Sequence, residues 1–324
     1  MNTKEESIIK TRDYFFDNLK GLLIIAVIIG NSLEHINPNT FNTHFFILFL
    51  YIFHMPLFTF VSGYFCEMSS RTTKEKVKSI LLVYICGQIF YYFFNSIIFG
   101  KSSDFVELLS PQWTLWYLLS LTFWYIIYDF IGDKKKWLIF STIIALYIGF
   151  DKSVGAYVSS SRTFFFLPFF ILGTMFKKDY ISILKKNSIK LFLSSGIIIL
   201  ILFFISNYVR VESLFEYTYY TAYFEKEFIP LLLRIYHYIG ATVLGMTIII
   251  LVSNKKTLLS KIGSYSLCMY LCHGAVIKLI HKYQLLPYTN KINTIISEII
   301  IVLITIVISI IYYEMLKPKL INRK

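Results

Sequence analysis

The sequence predicts an all-α integral membrane protein of about ten transmembrane helices in one bundle, and three observations support this. Its 324 residues are 56% hydrophobic and 19% aromatic but only 16% charged, whereas soluble domains carry more charge and fewer aromatic residues. Apolar runs that approach the roughly 20 residues needed to cross a bilayer recur along the whole chain. Basic residues concentrate in alternate loops between these runs.

Ten apolar runs mark the expected spans. They are 17–36, 45–66, 79–99, 113–131, 136–150, 164–176, 189–206, 228–253, 264–281 and 292–313. The runs at 136–150 and 164–176 are short, so a re-entrant or tilted arrangement stays open there. No linker or change of composition separates a second domain, and we therefore interpret residues 1–324 as one membrane domain. No small-residue cleavage site follows the first run, which favours a retained helix over a signal peptide.

The placement of the basic residues predicts that both termini are cytoplasmic. With the N-terminus inside, the inner segments hold 22 Lys and Arg residues and the outer loops hold 7. The bias alternates from loop to loop, as the positive-inside rule requires. It also accounts for the net charge of +13, so nucleic acid is not expected as a partner. The four cysteines fall within or at the edge of apolar runs, which argues against a secreted disulfide framework.

The first run carries several polar side chains on one helical face. At about 100° per residue, Asn31 lies about 20° from Lys20, and Glu34 lies about 40° away on the other side. His35 and Asp17 lie about 60° from Lys20. An ionisable group inside a bilayer costs several kcal/mol unless it faces a bundle interior or a wet cavity. The stripe is therefore a candidate functional site, and the alternative is a packing stripe of satisfied polar groups.

The second run contains His54 at mid-length, followed closely by Pro56. The proline removes a backbone donor and predicts a kink. A histidine at bilayer depth beside a kink is a candidate general base or hydrogen-bond donor. The alternative is a structural histidine bonded to a carbonyl oxygen across helices, and the residue pattern leaves both open.

Charged and histidine residues also lie in or beside later runs, and no nucleotide-binding motif accompanies them. Arg162 precedes the sixth run, Arg234 and His237 share one face of the eighth, and His273 lies mid-way along the ninth. Cys268 and Cys272 share a helical face, but the adjacent His273 points about 100° away, which is poor geometry for a tetrahedral metal site. The chain has no Gly-rich phosphate loop, GxSxG elbow or HExxH motif. A nucleotide-bearing donor would therefore be held by helix ends and basic side chains.

Five segments, taken in order, resemble the acyltransferase-3 family of membrane acyltransferases, especially its fucose 4-O-acetylase-like and capsular polysaccharide O-acetyltransferase branch. They are RDYFFDNLKGLLIIAVIIGN at 12–31, FHMPLFTFVSGYF at 53–65, TLWYLLSLTFWY at 114–125, SRTFFFLPFFILG at 161–173 and IGSYSLCMYLCH at 262–273. The resemblance implies ten helices in the cell membrane and transfer of an acetyl group from cytoplasmic acetyl-CoA to a sugar hydroxyl. The expected partners are acetyl-CoA, a polysaccharide or lipid-linked sugar acceptor, and the bilayer, with no bound cofactor.

One departure from the family's pattern concerns the first helix. That helix typically carries a basic residue, ten intervening residues and then a histidine regarded as catalytic. Lys20 matches the basic residue, but the histidine position is Asn31. An amide has no titratable proton acceptor near neutral pH. Either His35 or Glu34, one turn further on, performs the proton transfer, or this family member is catalytically impaired.

The resemblance suggests catalytic roles for the polar residues of the first two helices. Acetyl transfer to a hydroxyl needs a base and a donor that stabilises the oxyanion. We predict that His35 is the base, oriented by Glu34 or Asp17. His54 and Asn31 are the candidate donors.

Binding roles follow for residues outside this set. Lys20 and Arg71 are predicted to bind the CoA phosphates, and Arg162, Arg234 and Trp116 to bind the acceptor. The Tyr-rich loop 207–227 is a lid, an acceptor-binding surface or an interfacial aromatic belt. A transporter or flippase of envelope glycan is the rival function. The sequence lacks the pair of Gly/Pro-broken helices in matching halves that many such transporters show.

Overall fold

The computed structural model describes residues 14–35, 41–100, 105–214, 216 and 218–321. Within these ranges the chain forms twelve α-helices and no strand. The helices are α1 (Phe15–His35), α2 (Phe41–Met68), α3 (Thr73–Phe99), α4 (Trp116–Tyr128), α5 (Lys134–Tyr147), α6 (Ser160–Met175), α7 (Tyr180–Lys186), α8 (Ser188–Ile205), α9 (Phe228–Leu251), α10 (Leu258–Ser264), α11 (Ser266–Lys282) and α12 (Lys291–Ile321). The predicted all-helical fold is confirmed.

Each of the ten predicted runs overlaps one of these helices. Seven helical segments in the described part of the chain are long and apolar enough to cross a membrane. The sixth predicted run overlaps one of these seven segments. The segment is longer than the run because it begins with polar residues, which an apolar run does not include. By contrast, α4, α5 and α11 have only 13, 14 and 17 residues. The short helices α7 and α10 lie in segments that the sequence assigned to loops.

The first helix lies inside the bundle rather than at its surface. Fourteen of the 21 residues of α1 are buried, and the helix contacts α2, α10, α11 and α12. In α3 and α8 only 17% of the most apolar 18-residue stretch is buried. A helix that is apolar on most sides is stable either in a protein interior or against lipid. Here α1 takes the interior position, and α3 and α8 take the peripheral ones.

Glycines set the closest helix crossings. A Cβ atom on Gly63 of α2 would overlap the carbonyl oxygen of Phe170 on α6, and one on Gly173 of α6 would overlap the α2 backbone. Gly21 of α1 and Gly263 of α10 form a second reciprocal pair of this kind. Small residues let two helix backbones approach closely inside a membrane. These crossings hold α2 and α10 tightly against their partner helices.

Replacing Gly63 with alanine should destabilise the bundle, since the added methyl group meets the backbone of α6 and one of the two helices must move. We expect a loss of about 1–3 kcal/mol, the usual cost of overpacking. Thermal unfolding of the purified protein in detergent measures it. The control is Gly196→Ala in α8, where no atom lies near the new methyl group. Equal unfolding midpoints for the two variants would contradict the close crossing.

Candidate active site

Asn31 lies at the centre of a polar cluster built from α1, α2 and α11. Its Nδ2 atom lies 3.0 Å from Nε2 of His273. The hydroxyl of Tyr51 lies 2.6 Å from Oε2 of Glu34 and 3.1 Å from Oδ1 of Asn31, so these two acceptors share its single proton. Four side chains from three helices thus share one hydrogen-bonded network, which we name the Asn31 cluster.

His35 adjoins this cluster from the far end of α1. Its Nδ1 atom lies 3.2 Å from the backbone oxygen of Asn31, and its ring centroid lies 4.5 Å from that of Trp113. The same Trp113 ring lies 6.3 Å from the ring of His273. The backbone of Trp113 has a φ of 27°, a strained conformation for a bulky residue. Trp113 therefore lies between two imidazoles, a position that the sequence did not reveal.

The structure brings Arg162 and Trp116 together. The guanidinium carbon of Arg162 lies 4.6 Å from the ring centroid of Trp116, which itself stacks on Phe166 at 5.3 Å. Arg162 is also close enough to Glu34 to act on its charge. A cation over a tryptophan face is a stabilising arrangement. Two of the three residues predicted to bind the acceptor, Arg162 and Trp116, therefore extend the Asn31 cluster with a positive charge and an aromatic face.

His54 lies behind Tyr51 rather than in the hydrogen-bonded network. Its ring meets that of Tyr51 edge to face at 4.9 Å, and its Nδ1 atom lies 2.5 Å from the carbonyl oxygen of Leu50. The side chain is only 2% exposed. Because a carbonyl oxygen only accepts hydrogen bonds, Nδ1 carries the proton. His54 thus packs against the tyrosine that holds Asn31 and Glu34.

Arg234, predicted to bind the acceptor, belongs to a buried ion pair. Its Nη2 atom lies 2.7 Å from Glu216, and its Nη1 atom donates to the carbonyl oxygen of Ala145 at 2.9 Å. His237 approaches the same carboxylate at 3.2 Å. Burial raises the pKa of Glu216, but the Arg234 charge and the contacts with His237 together outweigh this effect and hold the pKa below its ordinary value. These contacts tie the segment that follows α8 to α5 and α9.

Asp17 and Lys20 lie at the opposite end of α1 from His35. The Lys20 ammonium lies 3.0 Å from a carboxylate oxygen of Asp17. At 1.5 Å per residue, Asp17 is about 27 Å along the helix from His35. The suggestion that Asp17 orients His35 is therefore wrong, because a shared helical face does not bring residues five turns apart into contact. Glu34, which shares the Tyr51 hydroxyl with Asn31, remains the candidate for orienting His35.

Two adjoining cavities lead from the surface toward the Asn31 cluster. The basal pocket, about 300 Å³, opens at the surface near the start of α3 and is lined by Cys66, Met68, Ser69, Arg71, Lys76 and Ser79. The inner cavity, about 180 Å³, lies between α1, α2, α4 and α11 and includes Lys20, Val27, Met55, Tyr117 and Tyr270 in its wall. Both are also lined by Phe65, Ile80 and Tyr125, so the two cavities adjoin at these side chains, which we name the neck.

The inner cavity ends one helical turn before the Asn31 cluster. Val27 in its wall precedes Asn31 by four residues on α1, and Tyr270 precedes His273 by three on α11. Lys20 and the first residues of α11 line the opposite end of the same cavity. Residues near the start of α1 therefore lie beside residues near the start of α11, and later residues beside later ones, so the two helices are parallel. The cluster sits directly beyond the cavity.

Comparisons with known proteins place the chain in a family. Residues 13–314 match the family model described as an acyltransferase domain. The chain belongs to the acyltransferase-3 family. Nodulation protein NolL of Sinorhizobium fredii is 26% identical over 182 residues, which cover 51% of this chain and 49% of that protein. The chain thus matches about half the length of this relative. No solved structure matches this chain significantly.

Membership of the acyltransferase-3 family accompanies helices that are long and apolar enough to cross a membrane. The matched region begins before α1 and includes every residue of the Asn31 cluster and both cavities. Sequence reasoning placed Asn31, Glu34 and His35 on the correct face of α1. It missed Tyr51, Trp113 and the contact of His273 with Asn31. A histidine in an apolar run was visible, but nothing in the sequence paired it with α1.

The buried carboxylate of Glu216 should be needed for folding. Glu216→Gln removes the charge that compensates Arg234, and breaking one side of a buried pair costs about 3–5 kcal/mol. The expected result is a clearly lower thermal unfolding midpoint in detergent. Glu225→Gln is the matched control, since Glu225 is an exposed carboxylate in the same loop. Equal midpoints would show that the ion pair contributes nothing.

Proposed function

We propose that this acyltransferase moves an acetyl group from acetyl-CoA to a sugar hydroxyl of a capsular or other cell-surface polysaccharide, or of its lipid-linked precursor. The inner cavity carries the proposal. It lies between the basal pocket, which holds Arg71 and Lys76, and the Asn31 cluster. An acyl donor with a charged head and a long flexible arm fits that shape.

We further propose ten spans with both termini in the cytoplasm of a cell-membrane protein. The overlap of all ten apolar runs with helices supports this, as does the alternation of basic residues between loops. The three short helices α4, α5 and α11 would extend about 20–26 Å, less than the hydrocarbon core of about 30 Å. Their flanking turns must complete the crossing. In this orientation the basal pocket opens to the compartment that holds acetyl-CoA.

The donor is held by cations at the basal end. Arg71 is exposed, and its guanidinium bonds the carbonyl oxygen of Glu75 at 2.9 Å and the hydroxyl of Ser79, which leaves part of its donor fork for a phosphate. Lys76 lines the same pocket. The pantetheine arm would then pass the neck and bring the thioester past Lys20 toward Tyr270. Arginine and lysine suit phosphate groups because both keep their charge at neutral pH.

The acceptor binds at the other side of the Asn31 cluster. Glu34, His35 and Trp113 are only half-buried there, and Arg162 lies over Trp116 beside them. Tryptophan faces offer large apolar surfaces to a sugar ring, while carboxylate and guanidinium groups bind its hydroxyls. The acceptor oxygen forms the new bond to the acetyl carbon, the carbon–sulfur bond breaks, and the hydroxyl proton passes through a base to the departing thiolate. The sequence offers His35 as that base, and His273 adjoins the same cluster.

Deleting the gene and restoring it in the native host tests the function. We expect O-acetyl signals in the NMR spectrum of the purified envelope polysaccharide to disappear and return, while the total amount of polysaccharide stays constant. The proposal makes the protein necessary for modification of the polysaccharide and not for its synthesis. Loss of surface polysaccharide with its acetylation intact would support a flippase and refute the proposal.

Arg71→Ala should weaken use of the donor without slowing the chemistry. A single exposed ion pair contributes up to about 1 kcal/mol, so we expect KM for acetyl-CoA to rise about 2–5-fold with kcat nearly unchanged. Membrane vesicles supplied with acetyl-CoA and polysaccharide from the deletion strain provide the assay. Lys74→Ala is the control, because Lys74 is exposed in the same basic segment but lines neither cavity. Equal KM values for both variants would remove Arg71 from the donor site.

A further inference from the structure

The structure fixes the tautomer of His273. Its Nδ1 atom lies 2.7 Å from the carbonyl oxygen of Tyr270 and 3.2 Å from that of Met269. Both partners are hydrogen-bond acceptors only, so Nδ1 must carry a proton. In the neutral ring the other nitrogen, Nε2, then has a free lone pair. His273 therefore offers a proton acceptor, in a side chain with no solvent-exposed surface.

That lone pair points at Asn31. Because Nε2 of the neutral His273 ring only accepts, the NH₂ group of Asn31 must face it, and the amide oxygen then faces the Tyr51 hydroxyl. The hydrogen bonds consequently run in one direction, from Asn31 through His273 to the carbonyl of Tyr270. The imidazole on α11 thus directs a basic nitrogen at the helix position where the family pattern places an imidazole on α1.

Position relative to the inner cavity separates His273 from His35. Tyr270, in the wall of that cavity, is one turn before His273 on the same helix. His35 lies one turn beyond Asn31, at the end of α1, where its ring packs on Trp113. A thioester that reaches the end of the cavity therefore meets the Asn31–His273 pair first. His35 is placed instead on the side where the acceptor enters.

We propose that His273 is the general base of this acyltransferase, and that Asn31 is its partner across the helix interface. This inference rests on the proposed function. The acceptor hydroxyl displaces the Asn31 amide from Nε2 and gives its proton to that nitrogen as its oxygen attacks the thioester carbon. The carbon–sulfur bond breaks, and the imidazolium returns the proton to the CoA thiolate. The released Asn31 amide donates to the oxyanion of the tetrahedral intermediate.

An exchange of the two side chains tests the assignment. His273→Asn should reduce acetyl transfer by about 10²–10⁴-fold, the usual contribution of a positioned base. The reciprocal double variant, Asn31→His with His273→Asn, returns an imidazole to the pair from the other helix. It should recover at least about tenfold of the lost rate. Rates are measured in vesicles with acetyl-CoA and polysaccharide from the deletion strain. Thermal unfolding and acetyl-CoA binding are measured for every variant.

Three further variants exclude a purely structural role. His273→Gln keeps an acceptor for the Asn31 amide but has no titratable group, so it should lose as much activity as His273→Asn. His35→Gln should lose less than tenfold, and His281→Asn, at an exposed position on the same helix, should leave the rate unchanged. Near-native activity in His273→Gln, or a larger loss in His35→Gln, overturns the proposal. So does a folded, acetyl-CoA-binding double variant that recovers nothing. If the native protein neither binds acetyl-CoA nor transfers acetyl groups, the proposed function itself fails.

Discussion

The need to satisfy polar side chains at bilayer depth governs how this bundle is assembled around α1. Lipid offers no hydrogen-bond partners, so each such group on a spanning helix must find one in the protein. Asn18 bonds the carbonyl oxygens of Ser253 and Lys255, and Ser32 bonds Glu298 on α12. Asn31 has its partners on α2 and α11. Because these groups point in several directions, α1 is enclosed on several sides and cannot take a peripheral place.

The parallel packing of α1 and α11 gives the candidate site its polarity. One end of the shared interface is lined by Lys20 and opens toward the basal pocket, and the other end holds the Asn31 cluster. A donor and an acceptor approaching from opposite ends would meet at the cluster without either having to cross the bundle. The acetyl transfer that we propose would depend on such proximity and orientation.

A second buried polar group secures the opposite part of the bundle. Glu216, Arg234 and His237 are almost fully enclosed, and Arg234 also lies between the rings of Tyr220 and Phe165 at 4.8 and 5.4 Å. A charge at bilayer depth was expected to mark a functional site. Here its partner is a carboxylate 18 residues earlier in the chain, in a loop whose path the sequence does not reveal. The rule that ionisable groups in apolar runs mark functional sites singled out α1. It could not show that Arg234 belongs to an ion pair that secures the loop rather than to a substrate site.

The sequence by itself determined the apolar helices, the alternation of basic loops and the polar face of α1, because hydropathy and helical periodicity are local properties. It did not show the short helices α7 and α10, which contain too few apolar residues to form a run. It also placed Asp17 with His35, since angular position on a helix carries no information about distance along it. Only the tertiary structure joined Asn31 to His273, 242 residues away, and aligned both with the inner cavity. Such a contact depends on which helices pack together, and the glycine crossings and buried hydrogen bonds decide that.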